Sequence, residues 1–436
     1  MQGDLWVKLS ALLWGSSCVA RGQYVKGVLL TVLEALFAYF IPVVFWPSMS
    51  KLGTLGTVQQ QRVYNPETRQ NEFNDYDNSF LIMLFGVIGC VLLLTAVVLW
   101  LRNIRAARAV EVRAKAGKHV NSFREDIADC FGVKFHRTLL TLPVLGVACF
   151  TIIPLIVMIL IAFTNYGGDI VPPRLVDWVG LKNFANLVVL GEYTSTFFKI
   201  FGWNIVWAVL STAINYFGGL ALALLLNKKC VKGKVFWRFF PILAYAIPGF
   251  ITMLGFKFMF ANGGPVNYYI TQAGGTAIFF FGANSTWTAR LIGLMVNAWI
   301  CIPSSMLLAT GILSNANTDQ YEAARMDGAN ALQQFWYLTL PFVVFATTPV
   351  ILSQFIGNFN NFGVFYFLRS DVSASAGYVN ANDTDLLINW LYKMSIDNKY
   401  YAVGAAISLI IFIFTSAISL AVYILSPSYR QEETYR

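Results

Sequence analysis

Charge is scarce in this sequence: 12% of its 436 residues are Asp, Glu, Lys or Arg, against about a quarter in a soluble domain. Hydrophobic residues make up 57% of the chain, and mean hydropathy is +0.60. So little polar surface excludes a globule that faces water on all sides. Histidine is nearly missing. His119 and His136 stand in a basic stretch without paired cysteines, so both read as solvated loop residues and no metal site is expected. Of six cysteines, Cys90, Cys149 and Cys301 fall in apolar runs and Cys18, Cys130 and Cys230 near basic segments, which speaks against a disulfide framework. No G-x-x-x-x-G-K-[ST] stretch occurs, so the chain has no loop of that kind to cradle ATP. Chains of Asp, Glu and His within apolar runs, expected of a proton-coupled carrier, are missing too. Glu34 and Lys257 are the exceptions, each read as snorkelling or structurally paired. A membrane-embedded enzyme would need paired carboxylates or a metal site at the membrane face. Asp383 and Asp385 are instead expected to be solvated in an outward loop.

What the sequence does have is a series of long apolar runs. About eight reach the roughly 20 residues that carry a helix across about 30 Å of hydrocarbon, near 25–47, 79–101, 138–163, 201–226, 239–260, 288–311, 342–367 and 400–425. The expected fold class is an all-α membrane protein in the lipid bilayer. The net charge of +9 does not imply a nucleic-acid partner. Basic residues concentrate where cytoplasmic loops would fall, at Arg105, Arg108, Arg113, Lys115, Lys118, Arg124 and Lys134, and again at Lys228, Lys229, Lys232, Lys234 and Arg238. The alternate loops behave oppositely. Lys51 to Asn78 carries Glu67, Glu72, Asp75 and Asp77, and Asn262 to Thr286 carries no charge. Both termini and the segment 312–341 are therefore expected in the cytoplasm.

The expected organisation is an amino-terminal cytoplasmic or interfacial segment (1–24), a two-helix hairpin (25–101), a cytoplasmic basic linker (102–137), a six-helix core (138–426) and a cytoplasmic tail (427–436). Leu5, Trp6, Leu9, Leu12 and Leu13 follow helical spacing suited to a helix lying on the membrane. A frayed leader fits the same residues equally well, but a cleavable signal does not, because Arg21 and Lys26 follow so short an apolar stretch. Pro143, Pro154, Pro241, Pro248, Pro303 and Pro349 recur within the core. Each removes a backbone donor and can bend its helix, although membrane helices also tolerate proline without consequence.

The most informative stretch lies between spans six and seven. It reads Tyr321-Glu322-Ala323-Ala324-Arg325-Met326-Asp327-Gly328-Ala329, and nine residues separate Gly328 from Leu338-Thr339-Leu340-Pro341. Asp319 or Thr318 can cap a short helix, Ala323 and Ala324 leave a close-approach face, and Gly328 permits a turn into a second helix. A solvated amphipathic loop would explain the charges but not the spacing. The spacing resembles the Glu-Ala-Ala loop of binding-protein-dependent ABC import permeases, with Leu338 in place of the family's isoleucine. The resemblance implies a type I importer core with two extra amino-terminal helices. It also implies a loop that docks on an ATPase dimer through Glu322, Ala323, Ala324, Asp327, Gly328, Leu338 and Pro341, with ATP and Mg held by that ATPase and no cofactor in this chain.

Similarity extends to maltose and maltodextrin permeases of the larger-subunit type. It is carried by Ala162-Phe163-Thr164-Asn165-Tyr166, Val179-Gly180-Leu181-Lys182-Asn183-Phe184, Gly357-Asn358-Phe359-Asn360-Asn361-Phe362 and Asp385-Leu386-Leu387-Ile388-Asn389. A large insertion between spans three and four, found in enterobacterial members, is missing, since Thr164 to Ile200 is short. The resemblance implies a transporter rather than an enzyme in the bacterial cytoplasmic membrane. Its implied partners are a second permease subunit, the ATPase dimer, an extracellular sugar-binding protein and an oligosaccharide. A sugar site at mid-membrane wants amides, hydroxyls and aromatics. By similarity Tyr245, Asn297, Asn358 and Asn361 are sugar-contacting positions, with Gly249, Cys301, Ser304 and Gly357 beside them. Asn358 and Asn361 share a helix face. The alternative for each asparagine is a hydrogen bond that joins helices, worth about 0.6 to 2 kcal/mol.

Overall fold

The computed structural model describes residues 4–66, 69–189, 191–228, 230–369, 371–372 and 374–425. Glu67, Lys229 and the tail 427–436 lie outside the described residues. Contacts between residues divide the chain into two units, 1–181 and 182–436.

In the first unit, short helices α1 (Leu5–Leu9) and α2 (Ser16–Val19) precede α3 (Tyr24–Ser50). A hairpin of β1 (Arg62–Asn65) and β2 (Gln70–Phe73) follows, pairing Arg62 with Phe73. Then come α4 (Ser79–Lys115), α5 (Phe123–Phe131) and α6 (Phe135–Ile161). The leader is thus two short helices rather than one amphipathic helix. Leu5 and Leu12 are exposed, Val7 is buried, and Trp100 Nε1 of α4 donates to Ala11 O at 2.8 Å. Glu34 is structurally paired: its Oε2 accepts Trp14 N at 2.9 Å.

The basic linker is largely helical. Arg102 to Lys115 continues α4 with good helix formers, and Glu111 receives Lys115 Nζ at 2.5 Å and Asp4 N at 3.0 Å. His119 bonds Glu125 in the loop before α5, while His136 lies on α6 rather than in a loop. The end of α3 lies hard against α4 at two glycines. A Cβ on Gly86 would come within 2.5 Å of Leu52, and one on Gly89 within 2.6 Å of Met49. Leu55, Met83, Val87, Val157 and Val176 form the buried cluster beyond this contact.

The second unit runs α7 (Lys182–Val188), α8 (Thr194–Asn227), α9 (Lys234–Ala246), α10 (Gly249–Met259), α11 (Pro265–Gln272) and α12 (Thr286–Ser314). It continues through α13 (Thr318–Met326), α14 (Ala331–Arg369), α15 (Leu387–Tyr392) and α16 (Tyr401–Ile424). Its core joins α8, α12 and α14 in two clusters. One centres on Trp207, Val296 and Phe365, the other on Leu220, Met306 and Val343.

All eight expected spans are helical, and seven are long and apolar enough to cross a membrane. The fifth is broken, with α9 and α10 meeting at 93°. Proline disfavours the helical region for the residue before it, and Ile247, ahead of Pro248, is extended at φ −76° and ψ 130°. At three other prolines the helix widens without breaking. The π turns Ile41–Phe45, Ala148–Ile152 and Phe335–Thr339 each end two residues before a proline, Pro47, Pro154 or Pro341. The missing N–H leaves a carbonyl without its i+4 donor, and the wider turn accommodates the lost bond.

Candidate functional site

The asparagine-rich run of span seven lies where α14 is interrupted, at residues 360–362. An interruption frees backbone carbonyls that need donors. Side chains supply them: Trp207 Nε1 donates to Asn358 O at 3.1 Å, Asn204 Nδ2 to Phe359 O at 3.0 Å and Asn389 Nδ2 to Phe362 O at 2.8 Å. Asn204 Oδ1 in turn accepts Leu387 N at 2.9 Å, tying α8 to the start of α15.

Through this break runs a chain of carboxamides on α12 and α14 that ends on a hydroxyl of α8. Asn358 Nδ2 donates to Thr212 Oγ1 at 3.0 Å, and Asn297 Nδ2 donates to Asn358 Oδ1 at 3.2 Å. Asn361 Nδ2 donates to Asn297 Oδ1 at 3.3 Å, while Asn361 Oδ1 accepts Val364 N at 3.1 Å. Cys301 Sγ points at Asn297 Oδ1 from 3.9 Å. Asn297 and Asn358 are 2% and 6% exposed, whereas Asn361 and Cys301 are half-buried. All three asparagines therefore join helices, and Asn361 and Cys301 differ from Asn297 and Asn358 in lying at the accessible edge of the chain.

Of the remaining candidates, Gly249 lies beside Ile300, where a Cβ would be 4.0 Å from that side chain. Ser304 Oγ is turned back onto Cys301 O at 2.8 Å. Tyr245 and Gly357 are exposed and do not enter the carboxamide chain. A 520 Å³ apolar depression formed by α8, α14 and α16 touches Thr212 but none of the eight candidates. Thr212 and Gln354, which donates to Ser305 Oγ at 2.9 Å, belong to the same polar seam and were not singled out from sequence. Their signal was available: Asn204, Thr212 and Asn215 recur along α8, one of the most buried spans.

The loop between spans six and seven forms an exposed helical knob. Its first helix, α13, is capped by Asn317, whose Oδ1 accepts Asp319 N at 3.0 Å. The expected caps Thr318 and Asp319 lie inside the helix. Gly328 has φ +79° and open space where a Cβ would stand, as the turn requires. Asn330 and Gln333 then form a capping box at the start of α14. Tyr321 Oη meets Thr339 Oγ1 at 3.1 Å, and Gln334 Nε2 donates to Ala329 O at 2.8 Å, so the two arms brace each other. Glu322, Ala323, Asp327 and Pro341 are exposed, with Ala324 and Leu338 half-buried. Met326 at the tip is 88% exposed and Tyr337 79%, too much apolar surface for a loop that serves only to connect.

Beyond the interruption, the expectation of solvated carboxylates fails. Asp383 pairs with Arg369, which is 1% exposed and also donates to Gly282 O at 2.8 Å and Thr384 Oγ1 at 3.1 Å. Asp385 is 3% exposed and meets Lys393 Nζ at 2.6 Å. Burial pushes its carboxyl above the usual range, and the Lys393 ammonium opposes this. Arg290 stacks 3.9 Å from the Trp203 ring. Lys257 is paired as well, with Asp371 at 2.5 Å.

Apolar spans, one of them broken, a polar seam joining α8, α12 and α14, and an exposed helical knob define a membrane transport subunit. The chain belongs to the family described as binding-protein-dependent transport system inner membrane component, whose model matches residues 218–431. It is 32% identical over 435 residues to the maltodextrin transport system permease protein MdxF of Bacillus subtilis, covering 98% of this chain and 96% of that one. Over 417 residues it is 30% identical to the galactooligosaccharides transport system permease protein GanP of the same organism, covering 94% of each. In fold it is similar to a bacterial ABC transporter involved in alginate import, at TM-score 0.57 and 18% identity, over 69% of this chain and 97% of that one. The protein is thus a multi-pass component of the bacterial inner membrane.

Proposed function

We propose that the chain is the larger permease subunit of an ATP-driven importer that carries malto-oligosaccharides. The observation that carries this reading is the knob at 318–341, braced internally and exposed at Met326 and Glu322. An ATPase dimer docks there, holds the ATP and Mg, and transmits its closure through Tyr321 and Thr339 into α14. The chain itself catalyses nothing. A second, similar permease subunit completes the pathway, and an extracellular binding protein delivers the sugar. The basic ends of the spans, at Arg102 to Lys115 and Lys228 to Arg238, support a cytoplasmic placement of the knob and both termini.

The sugar meets the half-buried side of the carboxamide chain at Asn361 and Cys301, and Asn297 and Asn358 hold that side in place. Asn361→Ala is expected to reduce sugar uptake about tenfold, one hydrogen bond's worth at the transition between states, with assembly unchanged. Asn358→Ala is expected to lower the thermal stability of the assembled subunits by about 0.6 to 2 kcal/mol. Loss of assembly in Asn361→Ala would instead make that residue part of the helix joint.

A galacto-oligosaccharide is the second reading, favoured by an identity of 30% to such a permease against 32% to the maltodextrin one. The two readings separate by competition. Uptake of labelled maltotriose into cells expressing the complete system is expected to fall with excess unlabelled maltotetraose and to persist with excess galactotriose, and the reverse order would select the second sugar.

A further inference from the structure

At the first turn of α12, eight residues line a polar depression of about 540 Å³ that the mechanism above leaves unused. Its size falls within the roughly 300 to 1,000 Å³ of small-molecule sites. In the orientation proposed above it opens on the extracellular side. Trp287 lines it with a side chain that is 70% exposed. The Arg290 guanidinium lies 5.1 Å from the centre of that ring and 3.9 Å from the centre of the Trp203 ring, so one face of the Trp287 indole is occupied and the other is open. An indole that only anchors a span at the membrane surface borders lipid. This one borders Asn284, Tyr378 and Asp383.

The depression is separate from the carboxamide chain. Arg290 stacks on Trp203, the Trp203 and Trp207 ring centres are 6.2 Å apart, and Trp207 Nε1 donates to Asn358 O. Two indoles of 8% and 0% exposure therefore stand between this depression and Asn358.

Its lining selects against most ligand classes. Asp383 pairs with Arg369 and accepts Thr286 Oγ1, while Arg290 Nη2 donates to Asp383 O at 2.5 Å. One cation and one anion thus line the space. An anionic ligand would meet the Asp383 carboxylate, a cationic one the Arg290 guanidinium, and an apolar one would strip water from both. Among the described residues the Asn284 amide, the Trp287 indole N–H and the Tyr378 hydroxyl have no hydrogen-bond partner. Amide and phenol both donate and accept, whereas the indole only donates. A neutral ligand whose hydroxyls do both, and whose ring turns a flat C–H face to the open side of Trp287, satisfies all three. A pyranose unit has that chemistry.

We propose that this depression is a second sugar station, holding one ring of an oligosaccharide on the open face of Trp287 with its hydroxyls toward Asn284, Tyr378 and Asp383. It lies outside the Trp203 and Trp207 pair that separates it from the carboxamide chain. The assignment rests on the oligosaccharide reading above and does not depend on which oligosaccharide is carried.

The test is photolabelling of the purified full chain, in a detergent without a sugar headgroup, by maltotriose or galactotriose bearing a diazirine, with labelled positions mapped by peptide mass spectrometry. Label within 284–290 is expected, competed by the matching unlabelled sugar and not by sorbitol, which has no ring. Trp287→Ala is expected to lower that label on the order of tenfold, and Trp287→Phe, which keeps an aromatic face, to retain most of it. Trp237→Ala, an exposed indole outside the depression, is expected to change nothing. If Trp287→Ala does not fold, as judged by gel filtration, Asn284→Ala decides, with a reduced label expected. Competed label confined to 357–361 would overturn the second station and leave the oligosaccharide reading standing. Label at 284–290 that survives Trp287→Ala, while the same variant loses the extracellular binding protein, would give the depression to that protein and overturn the assignment. No competed label anywhere with either sugar would remove both readings.

Discussion

Gly328→Asp is expected to abolish ATP-driven uptake while leaving the chain folded. The residue has φ +79° and nothing within 4 Å of where a Cβ would be, so a new side chain meets no atom of this chain. Aspartate tolerates the left-handed region better than most residues, so folding loses about 1 kcal/mol at most. If a partner covers the turn, the new carboxylate is buried without a counter-charge at about 3 to 5 kcal/mol, which weakens docking by a factor on the order of 10² to 10⁴. Co-purification of the ATPase with tagged chain measures this directly. Gly328→Ala carries the backbone strain without the charge and is expected to retain most of the association. Loss in both variants alike would mean that the turn's conformation, not a covering surface, is what matters.

Arg369→Ala is expected to be the most damaging change outside the knob. The side chain reaches Asp383, Thr384 and the carbonyls of Gly282 and Ala283 from a site of 1% exposure, so its removal strips Asp383 of its counter-charge, leaving Thr286 Oγ1 as a donor to that carboxylate, and takes the guanidinium donor from both carbonyls. Breaking a buried ion pair from one side costs about 3 to 5 kcal/mol. Arg369 holds residues 281–283 against 383–384, so the loss should appear as lowered thermal stability in detergent and faster proteolysis of the 262–286 loop. Arg369→Lys keeps the charge but loses the planar fork, and an intermediate effect is expected. A change in stability below about 0.5 kcal/mol, as at an ordinary surface site, would show that the pair is not structural.

Apolar runs made the spans legible, because crossing a bilayer demands a length that few soluble helices share. The knob was legible too, since Glu322, Gly328 and Pro341 sit at fixed spacing, although its cap was misplaced by one or two residues. Asn317 rather than Thr318 or Asp319 adopts the extended conformation that a cap needs. The asparagines of span seven were visible as a cluster, but their division was not. Asn358 faces Thr212, a residue 146 positions away, and only packing reveals that Asn358 is buried there while Asn361, bonded to Asn297, stays half-buried. Asp383 and Asp385 misled for a similar reason. Charge in a loop reads as solvated until Arg369 and Lys393 are brought over it. The 93° break at Ile247 was half-legible: Pro248 announced a bend, but not that the chain would leave the helix there altogether. The helices of the basic linker and the β-hairpin of 62–73 are not legible in the sequence, because polar stretches carry no apolar periodicity to mark them.

The proposed coupling of this chain to an ATPase is tested most directly by reconstituting it with the second permease subunit, ATPase and binding protein proposed for it in proteoliposomes and following labelled maltotriose. Accumulation that requires ATP on the ATPase side, survives collapse of the proton and sodium gradients by ionophores, and disappears with Gly328→Asp is the predicted result. Accumulation driven by an ion gradient without ATP, unaffected by Gly328→Asp, would contradict the account and make the chain a secondary carrier.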